Sequence, residues 1–203
     1  MSKKQKVDPR VLRSRQLLRD ALVELIHEQG YEKITVQDIT NRATLNRATF
    51  YLHYRDKLDL LCQSSDEILQ DLKESITASF GGKSDFNFQS DQPHQNFIHL
   101  FEQISLNAKL YKVFLTEKNM PHFTSRMMEV LITFISGGIN EMQPDDQLLT
   151  VPREIAVRYY AAAFLGVIVW WLEKDMPYTP KYMATQLMRL AIKGPYIHDP
   201  FVH

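Results

Sequence analysis

Residues 35–57, TVQDITNRATLNRATFYLHYRDK, constrain this chain more than any other stretch. Thr35 stands where a helix cap would, and Asp38 three residues on completes a capping-box pattern. Val36, Ile39 and Ala43 then recur at i, i+3 and i+7, an inward stripe for a short helix. Thr44 and Leu45 make the turn, and Asn46 is a strong cap for a second helix. Leu45 before that cap and Phe50 at the fourth helical position have the spacing of a hydrophobic staple. Phe50, Tyr54, Leu58 and Leu61 continue the buried side, and Asp56 caps a third helix. Two short helices around a tight turn, with a third starting at once, are expected here.

The other side of the second helix carries chemistry. Arg47 and Tyr51 lie one turn apart, with Thr49 and His53 beside them. An Arg pairs bidentately with guanine in a major groove, and a Thr methyl meets a thymine methyl. Tyr and His hold phosphates and set register without reading sequence. Lys57, in the first turn of the third helix, has the placing of a phosphate clamp. Taken singly, each is also an ordinary surface group. Together with two caps and matched spacing, they point to duplex DNA.

The formal net charge of zero hides an asymmetry that fits this reading. Up to Leu60 there are 12 basic and 8 acidic residues, a balance of 12 − 8 = +4, which leaves −4 for the rest. A cationic end and a more acidic body follow. The single cysteine, Cys62, excludes an intramolecular disulfide framework and reads as a small buried hydrophobe in a reducing compartment. The first ten residues, MSKKQKVDPR, lack the apolar core of a signal peptide. The longest apolar run, 161–172, is shorter than the roughly 20 residues a bilayer span needs. A cytoplasmic protein without a membrane partner is expected.

Elsewhere the apolar period is helical and no strand alternation stands out, so the fold class is all-α. Asp8 and Pro9 open a first helix that Gly30 stops. A long helix should run from 56 towards 80, with a loop over 81–95. Further helices are expected over 96–106, 109–117, 121–142, 152–174 and 180–193, making about nine in all. The domains read as 8–60, a three-helix head, and 61–203, a helical body.

Two features of the body bear on function. Apolar residues surround the 152–174 helix on nearly all sides, so a second protomer is expected to help cover it. Its Ala162 and Gly166 are small and one turn apart, with Val169 and Trp170 beyond, and Met183, Leu187 and Leu190 form a face on the next helix. Two such hairpins would pack as a four-helix bundle, which makes these the candidate homodimer contacts; the alternative is an intramolecular core helix. Phe101, Tyr111, Phe114, Phe123, Met127 and Phe134 supply aromatic and flexible apolar surface, either as the lining of an effector cavity or as plain core. His94, His99 and His122 lack metal-ligand spacing, and no metal or cofactor is expected. Neither a phosphate loop nor a nucleophile elbow is present, so a helical enzyme or carrier ranks behind DNA binding.

The pattern Thr-(x)3-Ile-(x)3-Ala, then Thr49-Phe50-Tyr51-x-His53-Tyr54-x-x-Lys57-x-x-Leu60, resembles the DNA-binding domain of the TetR/AcrR family of bacterial transcriptional regulators. The resemblance covers 10–61, about a quarter of the chain. The Gly166…Trp170-Trp171-Leu172-Glu173…Pro pattern resembles a C-terminal type found in low-GC Gram-positive members. The resemblance implies a dimer on a palindromic operator, with Thr35, Arg47, Thr49, Tyr51, His53 and Lys57 as DNA contacts. It also implies a repressor released by a small apolar or aromatic effector; an activator under a partner protein is the alternative. Two residues depart from the family pattern. Thr44 stands where glycine is common, at a cost of about 1 kcal/mol if φ there is positive. Leu52 stands where a basic residue is frequent, either as a contact to a base methyl or as a lost phosphate contact.

Overall fold

A computed structural model describes residues 8–79, 93–116, 121–142 and 145–195. Nine α-helices run through them: α1 Pro9–Gln29, α2 Val36–Arg42, α3 Arg47–His53, α4 Lys57–Ser79, α5 Gln95–Leu106, α6 Ala108–Thr116, α7 Pro121–Met142, α8 Arg153–Glu173 and α9 Pro180–Lys193. Short 3-10 turns add Tyr31–Lys33 and Asp146–Leu148, and no strand occurs among the described residues. The expected loop over 81–95 and the end of the fourth helix at Phe80 fall largely outside those residues. The chain divides into two compact units, 1–68 and 69–203, with the division inside α4.

The first unit is a three-helix head. Leu18, Leu22, Leu25 and Ile26 of α1 bury one face against Ile39 of α2 and Phe50 of α3. Burying a side chain such as Phe50 stabilises by about 1.5–3 kcal/mol. The helix ends follow the capping residues. Asp8 accepts from the Arg10 amide and Gly30 stops α1 with φ of 77°. Thr35 and Asp38 form the full reciprocal box on α2. Its two hydrogen bonds from Thr35 hold the Asp38 carboxyl below its usual range. Asn46 accepts from the Thr49 amide at 2.7 Å, and Asp56 from that of Asp59 at 2.8 Å. Arg42 of α2 pairs with Glu24 and Glu28 of α1.

One expectation on this face fails. Leu58 is 56% exposed, whereas Leu60 is fully buried. The reason is a break in the helix: α3 ends at His53, and Tyr54 is extended, with φ −140° and ψ 143°. The 3.6-residue period therefore restarts at Lys57 instead of running through. Cys62, expected inside, is exposed on α4.

The second unit packs α5 on α9, and α7 and α6 on α8. By length and composition α8 would also pass for a membrane span. One side of it is core, burying Ala161, Phe164, Ile168, Trp171 and Leu172. Trp171 Nε1 donates to the Tyr178 carbonyl at 2.9 Å, closing the hairpin to α9. The hairpin turn places Asp175 and Met176 at φ of 54° each.

Candidate functional site

The cap on Asn46 and the buried Phe50 fix which side of α3 faces out. Arg47, Ala48, Tyr51 and Leu52 are exposed, and Thr49 and His53 are partly so. They form two parallel rows, because residues four apart are neighbours on a helix. Arg47 and Tyr51 make the polar row: Arg47 Nη2 donates to the Tyr51 hydroxyl at 3.1 Å, and the guanidinium carbon stands 5.8 Å from the ring centroid. Ala48 and Leu52 make an apolar row beside it. Sequence reasoning passed over Ala48, for which no residue-type signal exists.

The remaining expected DNA contacts are held in local structure. Thr49 Oγ1 donates to Asn46 Oδ1 at 3.0 Å. Thr35 Oγ1 donates to Asp38 Oδ2 at 2.6 Å. His53 sits edge-on to the Tyr54 ring, 6.2 Å between centroids. Lys57 departs most from the outward clamp expected of it. Its Nζ donates to the carbonyls of Tyr31, Glu32 and Ile34 at 3.1, 3.2 and 2.9 Å. It also lies 4.5 Å from the Tyr31 ring centroid. An ammonium has three donors, so this one pins the 3-10 turn before α2. Burial, with Asp56 close by, pushes the Tyr31 phenol up to about 12.

A second network fixes the far end of α3. Arg15 Nε donates to the Tyr54 hydroxyl at 3.2 Å, and its Nη2 donates to Gln63 Oε1 at 3.0 Å. Glu67 completes it as an ion pair with Arg15. The recognition face is thus held by the cap at one end and by α1 and α4 at the other.

In the body, all six residues expected to line an effector cavity are buried. Phe101 meets Trp171 at 5.4 Å between ring centroids. Phe123 packs on Tyr111 and Phe114 at 6.1 and 4.9 Å, and Met127 is fully buried. Phe134 among them also lines an open space. A cavity of about 610 Å³ opens at the other end of the unit, where α5 and α8 begin and α7 and α9 end. Phe97, Phe134, Ile139, Tyr159, Tyr160 and Phe164 are among its walls, and none of the described residues that line it is charged.

The hairpin face expected to meet a second chain is exposed in part. Ala162, Gly166 and Trp170 are exposed and Val169 is half-buried. A Cβ added at Gly166 would meet nothing within 4 Å. Met183 and Leu187, however, are each 4% exposed, because α9 turns that side onto α5 within the protomer. Leu190 stands at the rim, and Ile155, Tyr159, Tyr178 and Tyr182 extend the exposed apolar surface.

A capped three-helix head of this kind is that of a helix-turn-helix DNA-binding protein. Residues 18–63 match the family described as "Bacterial regulatory proteins, tetR family", and 91–193 match "Transcriptional regulator C-terminal region". The chain belongs to the TetR/AcrR family of transcriptional regulators, which are DNA-binding proteins and not enzymes. Among similar curated proteins is the uncharacterised HTH-type regulator YxbF of Bacillus subtilis, 24% identical over 92% of this chain. The chain spans only 47% of that protein's length. It is also 22% identical to the dhaKLM operon activator DhaS of Lactococcus lactis, over 76% of each chain. Among solved structures, the fatty acid degradation regulator FadR of Bacillus halodurans superposes with a TM-score of 0.69 at 19% identity, covering 96% of this chain and all of that one.

Proposed function

We propose that the chain acts in the cytoplasm as a dimeric repressor, released from a palindromic operator by a small neutral apolar effector. The observation that carries the effector half is the cavity beside α8, large enough for a ligand and, among the described residues, walled without a charged side chain. An anionic ligand buried there would lack a counter-charge, which is costly. A neutral molecule with one polar group suits the cavity, with the hydroxyl of Tyr159 or Thr150 on its wall as partner. Arg47 reads a base, and Tyr51 and His53 hold phosphates. Lys57 orders the turn ahead of α2 so that the amide end of the head meets the backbone.

The dimer forms through the exposed side of α8 and the rim of α9. Ala162 and Gly166 allow close approach, and Tyr159, Trp170, Tyr182 and Leu190 supply the apolar area. A second reading, activation in place of repression, is favoured by the likeness to DhaS, whose name makes it an activator.

The test is anisotropy of a labelled duplex recovered by selection from a random library. Decanol and decanoate are each titrated into the protein–DNA complex. Release by decanol at lower concentration than decanoate supports the neutral effector, and Ala156→Phe, which fills the cavity, should abolish that release while leaving DNA affinity unchanged. Preferential release by the carboxylate would contradict it. Tighter binding on adding decanol would favour the activator.

A further inference from the structure

Leu52 is 80% exposed, more than any other large apolar side chain among the described residues. It does not stand alone. Ala48, one turn earlier, is exposed too, and the pair forms a continuous apolar row on α3 beside the Arg47–Tyr51 row. Neither residue is needed for the inward packing, which Phe50 supplies. The helix is held rigid at both ends, by the Asn46 cap and by Arg15 on Tyr54. Its apolar row is therefore presented in a fixed direction.

A large exposed apolar side chain on a rigid helix needs a chemical partner that water does not provide. In the major groove only one base offers it. Thymine carries a C5 methyl there, while adenine, guanine and cytosine present hydrogen-bond donors and acceptors. The row is also too narrow for a protein interface, with one leucine and one alanine flanked by an arginine and a tyrosine.

We propose that Leu52, with Ala48, determines part of the DNA specificity by packing on thymine methyl groups next to the base that Arg47 reads. The proposal rests on α3 being the helix that enters the major groove. It makes the two rows complementary. Arg47 demands a hydrogen-bonding edge, and Leu52 demands a methyl a base or two away.

The experiment separates this proposal from the reading on which it rests. Wild-type protein and the Leu52→Ala and Leu52→Met variants are each used to select duplexes from a random library. In the selected wild-type site, each fixed thymine is then replaced by deoxyuridine, which removes the methyl and nothing else. The expected result is a palindrome with a fixed thymine in each half-site. Deoxyuridine there should weaken wild-type binding about fourfold per half-site, the worth of one buried methyl. Leu52→Ala should lose both the thymine preference and the sensitivity to deoxyuridine, and Leu52→Met should keep them. Because Leu52 is exposed, the variants should melt with the wild type. If Leu52→Ala still demands the same thymine, or weakens every duplex equally, the proposal is overturned while the DNA-binding reading stands. If wild type selects no site at all, both fall.

Discussion

Two faces of this molecule are exposed among the described residues, and they differ in kind. The outward side of α3 mixes an arginine and a tyrosine with a short apolar row, on a seven-residue helix held at both ends. The outward side of α8 is apolar along most of its length, from Ile155 through Tyr159, Ala162 and Gly166 to Trp170. The first face combines donors and a cation with exposed apolar contacts, which suits the edges and phosphates of DNA. The second has small residues where a helix can approach and aromatic residues where area is wanted, which suits another copy of the same helix. Exposure alone would not distinguish them. The chemistry of the neighbours does.

The contrast can be broken most sharply at Gly166. A side chain there meets open space within the protomer, so Gly166→Leu should fold and melt near the wild type. Between two copies the same side chain would be overpacked, at about 1–3 kcal/mol for each subunit. Sedimentation should then show the dimer dissociating at a protein concentration at least tenfold higher. A variant that stays as tight a dimer would move the interface elsewhere.

Arg47→Ala addresses the other face. It should cost about 1–3 kcal/mol on the preferred half-site and relax one base position, leaving the dimer intact. Filter binding on matched and mismatched duplexes checks this, and a uniform loss over all sequences would make Arg47 a phosphate contact instead.

Lys57 tests whether the head's cations act on DNA or on the fold. With three carbonyls around its Nζ, Lys57→Ala should lower stability by about 1–3 kcal/mol. The slope of log affinity against log salt should change little below the melting point. A slope smaller by about one unit with unchanged stability would restore the phosphate clamp. The smallest effect is expected at Thr44, whose φ is 56°. Glycine there removes the left-handed strain, and Thr44→Gly should raise stability by about 1 kcal/mol, less the entropy that glycine adds to the unfolded chain.

How far the sequence could be read follows from the range of the forces involved. Caps and turn residues act over three or four positions, so the box at Thr35–Asp38, the cap at Asn46 and the strain at Thr44 were all legible. The expected bounds for α7 and α9 coincide with those found. Leu58 was misplaced because the stripe of α3 was carried straight through the break at 54–56, which the Asp56 cap marks and where extended Tyr54 resets the period. Lys57 looked like a surface cation because its carbonyl partners lie more than 20 residues earlier. The same limit applied to Met183 and Leu187. An apolar face does not say which neighbour covers it, and α5 covers this one. The buried ring pairs of Phe101 with Trp171 and Phe114 with Phe123, and the open space beside Phe134, are built from the same residue types. Only packing tells them apart.

The central claim is that one face binds DNA and the other binds a second copy, so that two recognition helices act together. Hydroxyl-radical footprinting of wild-type protein on its selected duplex tests this most directly. The expected result is two protected patches on one face of the duplex, centred about 34–36 Å apart, with both lost together in Gly166→Leu at concentrations where that variant is monomeric. A single patch that persists undiminished in Gly166→Leu would contradict the account.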